Sequence, residues 1–525
     1  MKIEIVLALS LVTSTTLIDT VQGAKILSVF PYPAPSKYIF ISTLLKALAE
    51  RGHEVTSIST FPQKEKLKNF HDIAVMENFH LFEEYLEEAA SGETKSYIQE
   101  FLELAQPGKL MVTNILENTE VKRIMKNEKF DLIILDVMVT EALLGFGEHF
   151  KAPMVAVSAF GTINFIDYLV GNTSPLSYIP HISVPYDNHM SLKERVVNML
   201  SEIVDQLCFN HYILPLQEEV YKKYFPSAQL SLDQARKNVS LVLLNDHFTL
   251  RFPRPYVPNM IEVGGLHVKA NPDPLTEDLQ EYLDKASEGV IYFSLGSNVQ
   301  SKDLSSNTLK VLLEGFRELK IKVLWKFENE DLPGKPDNVL IRKWFNQPAI
   351  LAHPNVKLFI THGGYLSTIE TIFYGTPILG IPIFADQFMN VKDAVKAGYA
   401  LELQLNEMTK DSFKKTIKEL WRNPKYSEAV GRLSKRYRDQ PMTPLETAIY
   451  WVEYVLRNEG APYMRNAGQD LSFMEYHNLD VFLLLAAGVT LIFVVIFYAI
   501  CSLKKMCGKA SKTSKNSKKD KLKKH

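Results

Sequence analysis

Cysteine is nearly absent. The 525 residues hold three, Cys208, Cys501 and Cys507, and only Cys208 lies outside the C-terminal apolar and basic end. That excludes an intrachain disulfide framework for the main body, so stability must come from large packed cores. No Gly-x-Gly-x-x-Gly follows the first strand-like run, which disfavours a nicotinamide-dependent enzyme. No Asp-x-Asp stands at a strand end, which disfavours a metal-dependent mechanism, and no metal ligands are assigned. No repeat of 20–50 residues stands out. Low complexity is confined to the lysine-rich end. The length exceeds what one core supports and predicts two domains with additions.

Charge is missing over one long stretch. Val481 to Cys501 (VFLLLAAGVTLIFVVIFYAIC) carries none over 21 residues. At about 1.5 Å per residue it spans the roughly 30 Å hydrocarbon core of a bilayer. A buried soluble helix of that length would show a polar face. Acid is scarce beyond it: Lys504 to His525 holds ten lysines against Asp520 alone. That bias marks the cytoplasmic side. The prediction is a single-pass type I membrane protein, with a transmembrane helix at 479–503, a basic cytoplasmic tail at 504–525 and a lumenal body. Lys521 and Lys523, five and three residues from the end, resemble a retrieval signal for the endoplasmic reticulum; the bland alternative is a solubilising tail. Cys507 could be acylated, although a silent cysteine is the simpler reading. At the other end, residues 1–23 read as a secretory signal peptide, with an apolar core at Ile5 to Val12 and cleavage near Gly23. Asn172 and Asn238 head sequons open to lumenal N-glycosylation if exposed.

Between these ends, strand and helix signals alternate. Lys25–Phe30, His53–Ser59, Asp131–Leu135 and Pro153–Val157 read as strands, and Ser36–Arg51 as a helix closed by Gly52. Charged helix-forming stretches lie around Phe79–Ala90 and Ser96–Asn127, and Leu192–Tyr224 is a long helical region. The pattern restarts near Ser240, with further strands at Ile261–Val263, Gly289–Ser294, Lys322–Lys326, Val356–Ile360, Ile378–Gly380 and Tyr399–Leu401. The βαβ rhythm predicts an α/β protein of two doubly wound lobes, 24–250 and 251–440, then a returning helix and juxtamembrane segment at 441–478. Ligands in such sheets sit at the carboxyl ends of strands, so the cleft between the lobes is the expected site.

The most informative block runs from Trp344 to Gln387. Its His362-Gly363-Gly364 turn stands between a strand and a helix. Glycines admit a ligand close to the backbone, and a helix N-terminus offers free N–H groups and positive potential. His362 can donate to a phosphate oxygen. Glu370, three residues after Ser367 on the same helical face, can accept from ribose hydroxyls. Asp386 and Gln387 suit sugar hydroxyls, and Trp344 offers a flat surface to a base. Taken singly, Trp344 would as soon be core and Gln347 surface; the joint pattern points to a nucleotide-sugar.

This block resembles the signature of the animal UDP-glycosyltransferases, the UDP-glucuronosyltransferase family, in the manner of its invertebrate members. The likeness extends to FPYP at Phe30, LLKALAERGHEVT from Leu44, FDLIILD from Phe130, FSLGS from Phe293 and the membrane tail. It implies a GT-B fold: two Rossmann-like lobes, the first for the acceptor and the second for a UDP-sugar. It implies that Trp344 stacks on uracil and Gln347 helps hold the uridine. His362 and the Gly363 and Gly364 amides would bind the diphosphate, with Ser294, Gly296 and Ser297 as a second diphosphate loop. Glu370 would bind ribose, and Asp386 and Gln387 the sugar. Leu366-Ser367 replaces the Asn-Gly of many relatives, and Ser367 still offers a hydroxyl. No permanently bound cofactor is implied. UDP-glucose or UDP-glucuronate is the co-substrate, glucose favoured, with a small lipophilic acceptor. Arg251 and Arg254 could meet a uronate, but arginines between domains more often make structural ion pairs. The bilayer and further copies or relatives are the implied partners; nucleic acid is not.

The acceptor side departs from the pattern. The resemblance implies a histidine base after the first strand, oriented by an aspartate. Asp136 is present, but Lys37 occupies the histidine's place. Free lysine, with a pKa near 10.4, is protonated at neutral pH, and a nearby Asp136 would keep it so. A protonated lysine accepts no proton. Three readings follow: acceptors that need little help, such as amines, thiols or acidic phenols; Asp136 or another group as base; or a catalytically weakened protein that binds UDP-sugar and modulates relatives. His53 belongs to a turn and reads as structural, whereas His181 and His189 lie in a loop able to reach the cleft.

Overall fold

The computed structural model describes residues 23–82, 96–297, 299–384 and 386–522. The expected signal sequence and the end of the lysine tail lie outside these residues, as does most of Phe79–Ala90. Seven parallel strands build the first sheet: β1 (Lys25–Val29), β2 (Glu54–Ser59), β3 (Phe70–Ala74), β4 (Leu132–Asp136), β5 (Met154–Ser158), β6 (Val239–Leu244) and β7 (Met260–Glu262), in the order β3-β2-β1-β4-β5-β6-β7. Both faces are covered, which is why LIILD and MVAVS are wholly buried runs. Alternate residues feed opposite cores: Leu27, Ile133, Leu135 and Ala156 one, Ile26, Leu132, Ile134 and Val155 the other. Helices α1 (Pro35–Glu50), α2 (Tyr97–Glu103) and α3 (Leu192–Cys208) belong to this lobe.

The second sheet repeats the order with six strands: β8 (Val290–Ser294), β9 (Lys322–Lys326), β10 (Val339–Arg342), β11 (Val356–Thr361), β12 (Ile378–Gly380) and β13 (Ala400–Glu402), as β10-β9-β8-β11-β12-β13. Three helices frame its ligand edge: α4 (Gln347–Ala352), α5 (Tyr365–Tyr374) and α6 (Gln387–Lys396). In both sheets the strand order reverses at one point, between β1 and β4 and between β8 and β11. Crevices open there, at the carboxyl ends of the strands.

The chain then returns. Thr443 and Glu446 close a capping box, Pro444 stands in the first turn, and α7 (Pro444–Arg457) follows. Its Ala448, Val452 and Val455 enter the first lobe's core beside Leu44 and Leu48. Residues 466–525 form a separate unit, in which α8 (Leu479–Leu522) carries a segment, Leu479–Met506, long and apolar enough to cross a membrane.

Two expectations need correction. The first sheet does not end at residue 250, because β7 pairs with β6. Val242 donates to Asn259 and extends that edge, so the lobes divide after Glu262. Asn172 is also not an open sequon. It is buried, with Nδ2 donating to Asp167 (2.9 Å) and Oδ1 accepting from the Val257 amide (3.1 Å). Asn238 is exposed.

Candidate active site

Strands β8 and β11 end in a hydroxyl that closes the turn after it. Ser294 Oγ accepts from the Gly296 amide, and Thr361 Oγ1 from the Gly363 amide, each at 3.2 Å. Gly296 and Gly363 adopt φ of 83° and 81°, the left-handed region that favours glycine. The His362 ring lies between two glycines. A Cβ on Gly296 would stand 2.4 Å from its Cε1, and one on Gly364 would stand 2.5 Å from its Nε2. The glycines thus make room for an imidazole as well as for a ligand. Burial holds the His362 pKa down to about 4, and the charge of Lys326 acts in the same direction. The ring is therefore neutral at pH 7 and offers one N–H without a charge.

Positive potential comes from elsewhere. Gly364, at the N-cap of α5, supplies no side-chain cap, so the first-turn amides face the cavity unpaired by any cap. The Gly363 amide is held by Thr361 Oγ1 in this structure. Lys326 is a contributor that the sequence reading missed. It ends β9, is buried, pairs with Glu328 at 2.7 Å, and lies 5.7 Å from the Trp344 ring centre. Its signal was its place as the last residue of KVLWK, at the carboxyl edge.

Trp344 is 60% exposed, free to present its face. Behind it Gln347, opening α4, donates to Ser367 Oγ (3.0 Å) and Glu370 Oε2 (2.5 Å) and fixes the carboxylate. His267 was also missed. It is buried, its Nε2 lies 3.5 Å from Glu370 Oε1, and neither ring nitrogen makes a hydrogen bond. Asp386 accepts from Asn390 Nδ2 at 2.7 Å, and burial raises its pKa against that bond and the charge of Arg251. Gln387 staples its own turn, its Oε1 accepting from the Ile383 (2.9 Å) and Phe384 (3.1 Å) amides.

Across the cleft, Lys37 stands in the first turn of α1, the helix that follows β1, and Asp136 ends β4; β1 and β4 flank the first switch point. Lys37 is near enough for its charge to act on Asp136, but among the described residues the two form no ion pair. Lys37 Nζ instead donates to Met138 Sδ (3.2 Å) and lies 4.6 Å from the Tyr32 ring centre and 5.5 Å from that of Phe160. Asp136 is buried, its Oδ2 has no hydrogen-bond partner, and burial raises its pKa against the pull of Lys37. His181 bonds Ser183 (2.7 Å) and lies 3.4 Å from Asp205, and His189 is exposed beside Asn188. Neither lines the cavity. His53 is structural: it accepts from the Ala24 amide at 3.2 Å and faces Glu453 at 3.5 Å.

One cavity of about 900 Å³ joins the two sides. Its walls carry Ser294, Gly296, Ser297, Trp344, Gln347, His362, Gly364, Ser367, Glu370, Asp386 and Gln387 opposite Lys37. Beyond Lys37 the lining is mostly apolar, with Ile98, Phe101, Leu104, Ile163 and Phe165, and it also carries Glu100, Ser96 and Ser183. Asp136 and Gly363 stand behind it.

Residues 24–515 match the family model described as "UDP-glucoronosyl and UDP-glucosyl transferase". UDP-glucosyltransferase 2 of Dactylopius coccus is 35% identical over 94% of this chain and 95% of its own length. Mouse (Mus musculus) UDP-glucuronosyltransferase 2A3 is 30% identical over 92% of this chain and 93% of its own. Among solved structures, the calicheamicin glycosyltransferase CalG4 superposes with a TM-score of 0.57 at 16% identity, covering 83% of this chain and 99% of that one, a likeness of fold alone. The fold is GT-B, and with a family match from the first strand through the apolar helix, the chain belongs to the UDP-glucuronosyl and UDP-glucosyl transferase family.

Proposed function

We propose that this protein transfers a hexosyl group, glucose in preference to glucuronate, from a UDP-sugar to small lipophilic acceptors with inversion, giving β-glycosides. One observation carries this reading: a base platform, a carboxylate held for ribose and a helix N-terminus share one wall of a cavity whose other wall is mostly apolar. Uracil stacks on Trp344, ribose meets Glu370, the diphosphate meets His362, Lys326 and the α5 amides, and the sugar meets Asp386 and Gln387. As the bond from C1 to the phosphate breaks, charge grows on UDP. Fixed amides and a buried ammonium stabilise it without reorganising. The preference for glucose rests on two supports. Arg251 is engaged by Asn390 (2.9 Å) and by the face of Tyr365 (4.8 Å), Arg254 by Asp167 (3.1 Å), and neither arginine lines the cavity where a uronate would lie. The name of the Dactylopius coccus relative points the same way.

The apolar helix anchors the protein in the endoplasmic reticulum membrane in this reading, with both lobes lumenal, beside lipid that concentrates lipophilic acceptors. A second reading, a catalytically weakened UDP-sugar-binding protein, is favoured by the lysine at the base position. Membranes incubated with UDP-glucose, UDP-glucuronate or UDP-galactose and a panel of phenols and amines distinguish the two. Product, most of it from UDP-glucose, is expected. UDP binding without any product supports the second reading, and neither binding nor product defeats both.

A further inference from the structure

We propose that Lys37 makes this site selective for acceptors that arrive already deprotonated, namely lipophilic carboxylates and acidic phenolates. The inference rests on the UDP-sugar transfer reading above and names its acceptor class. An ammonium has three donors. Lys37 directs one at a thioether, a weak acceptor, and lies against two ring faces. Cation–π contact eases its desolvation but satisfies no N–H. Among the described residues no carboxylate approaches within ion-pairing distance, although buried and half-buried charges are ordinarily paired. The ammonium lines the cavity, so the missing counter-ion can come from a ligand.

Position and shape narrow that ligand. The charge of Lys37 is felt by Asp136 on the first lobe and by Asp386 on the second, so Nζ stands where acceptor and sugar meet. Phe101, Phe165 and Ile163 lie on the apolar lining beyond. A molecule that fills this space has an anionic head on Lys37 and an aromatic or aliphatic body on that wall.

The chemistry fits the absence of a histidine base. A hydroxyl acceptor must lose a proton as it attacks. A carboxylate has none to lose. Its oxygen forms the bond to C1 while the bond from C1 to the β-phosphate oxygen breaks, and that electron pair leaves with UDP. Carboxylate and UDP-sugar give an ester glycoside and UDP, with no proton transferred. Lys37 holds the nucleophile in line.

The test uses the full chain in detergent with UDP-glucose and the size-matched acceptors benzoate, benzyl alcohol and benzylamine, with 4-nitrophenol against phenol. At pH 7.4, kcat/KM for benzoate should exceed that for benzyl alcohol by about ten- to hundred-fold, the worth of a charged hydrogen bond. Lys37→Met should raise the KM for benzoate by a similar factor and leave the KM for UDP-glucose in place, while Lys37→Arg keeps the preference. Equal turnover of benzyl alcohol, or an unmoved benzoate KM in K37M, overturns the proposal. So does a K37M effect confined to the KM of UDP-glucuronate, which assigns the ammonium to a donor uronate. If no acceptor turns over, calorimetry decides: benzoate should bind the UDP complex and lose that binding in K37M. Failure of benzoate to bind while UDP binds overturns the acceptor proposal alone. Failure of UDP to bind overturns the donor reading beneath it.

Discussion

At the scale of single residues, the proposed function makes position 37 the limit on proton removal and position 362 the link between donor binding and pH. Lys37→His places a neutral imidazole beside Asp136, a base that hydroxyl acceptors lack in the parent. General-base catalysis contributes about 10²–10⁴-fold. Transfer to un-ionised phenol, read as UDP release at saturating donor, should therefore rise by at least tenfold at the low end of that range. Full parental activity with no change in the variant sinks the claim. For His362 the sign follows from its pKa of about 4 in the fold against about 6.5 unfolded. Above pH 6.5 both states are neutral and nothing is lost. As pH falls from 6.5 toward 4 the unfolded chain takes up a proton that the native ring refuses. Stability drops by up to about 3 kcal/mol in that window and levels off below it. A diphosphate against the ring reverses the shift. UDP-glucose should bind with proton uptake at pH 5.5, measured by calorimetry in buffers of different ionisation enthalpy, and His362→Gln should abolish the uptake. Equal heats in every buffer contradict contact between the ring and the diphosphate.

At the scale of elements, α7 reaches back from the second lobe to complete the first. Its Glu453, with a side chain only 9% exposed, meets Arg51 at 2.6 Å, His53 at 3.5 Å and Arg457 at 3.5 Å. Glu453→Ala strands a buried histidine and should cost about 1–3 kcal/mol, less than a fully buried pair because Arg51 is half exposed. The unfolding midpoint of the protein should fall while the Kd for UDP-glucose holds; a weakened Kd instead means that α7 also sets the cleft. The helices and strands that sequence made legible are those with a continuous apolar signal. LIILD and VIYFS are buried throughout, and VKLFIT is buried but for Lys357, so their apolar runs announce it. β3 (FHDIA) was missed because it is an edge strand that buries only Ile73, so polar residues mask it. α3 runs against its own pattern. Leu192, Val196, Leu200 and Ile203 are exposed, whereas Asn198 is wholly buried and its Nδ2 donates to Leu176 and Ile179, both at 2.9 Å. The turn that bounds the acceptor wall needs a carboxamide more than that helix needs an apolar face. His267 escaped notice for a related reason: it faces Glu370, far away in sequence, and no local spacing marks it. Asp136 feels the charge of Lys37 as its proximity implied, but the ring faces that hold the ammonium, from Tyr32 and Phe160, had no local signal.

At the scale of the molecule, the two sequons and the apolar helix together give a test of topology. Asn238 is exposed immediately before β6, whereas Asn172 is locked between Asp167 and Val257. A glycan on Asn172 would displace the buried carboxamide from its bonds to Asp167 and the Val257 amide and force bulk into a packed site, a cost of a few kcal/mol. If the lobes are lumenal, the protein expressed in a secretory host should carry one endoglycosidase-sensitive glycan. Asn238→Gln should remove the mobility shift and leave UDP binding intact. Asn172→Gln should leave the shift and lower the yield of folded protein, because it breaks the buried pair of bonds without touching an occupied site. A protein with no glycan places the lobes on the other side of the membrane from the one proposed. A glycan on Asn172 means that the linker from 167 to 257 is packed differently from the structure described.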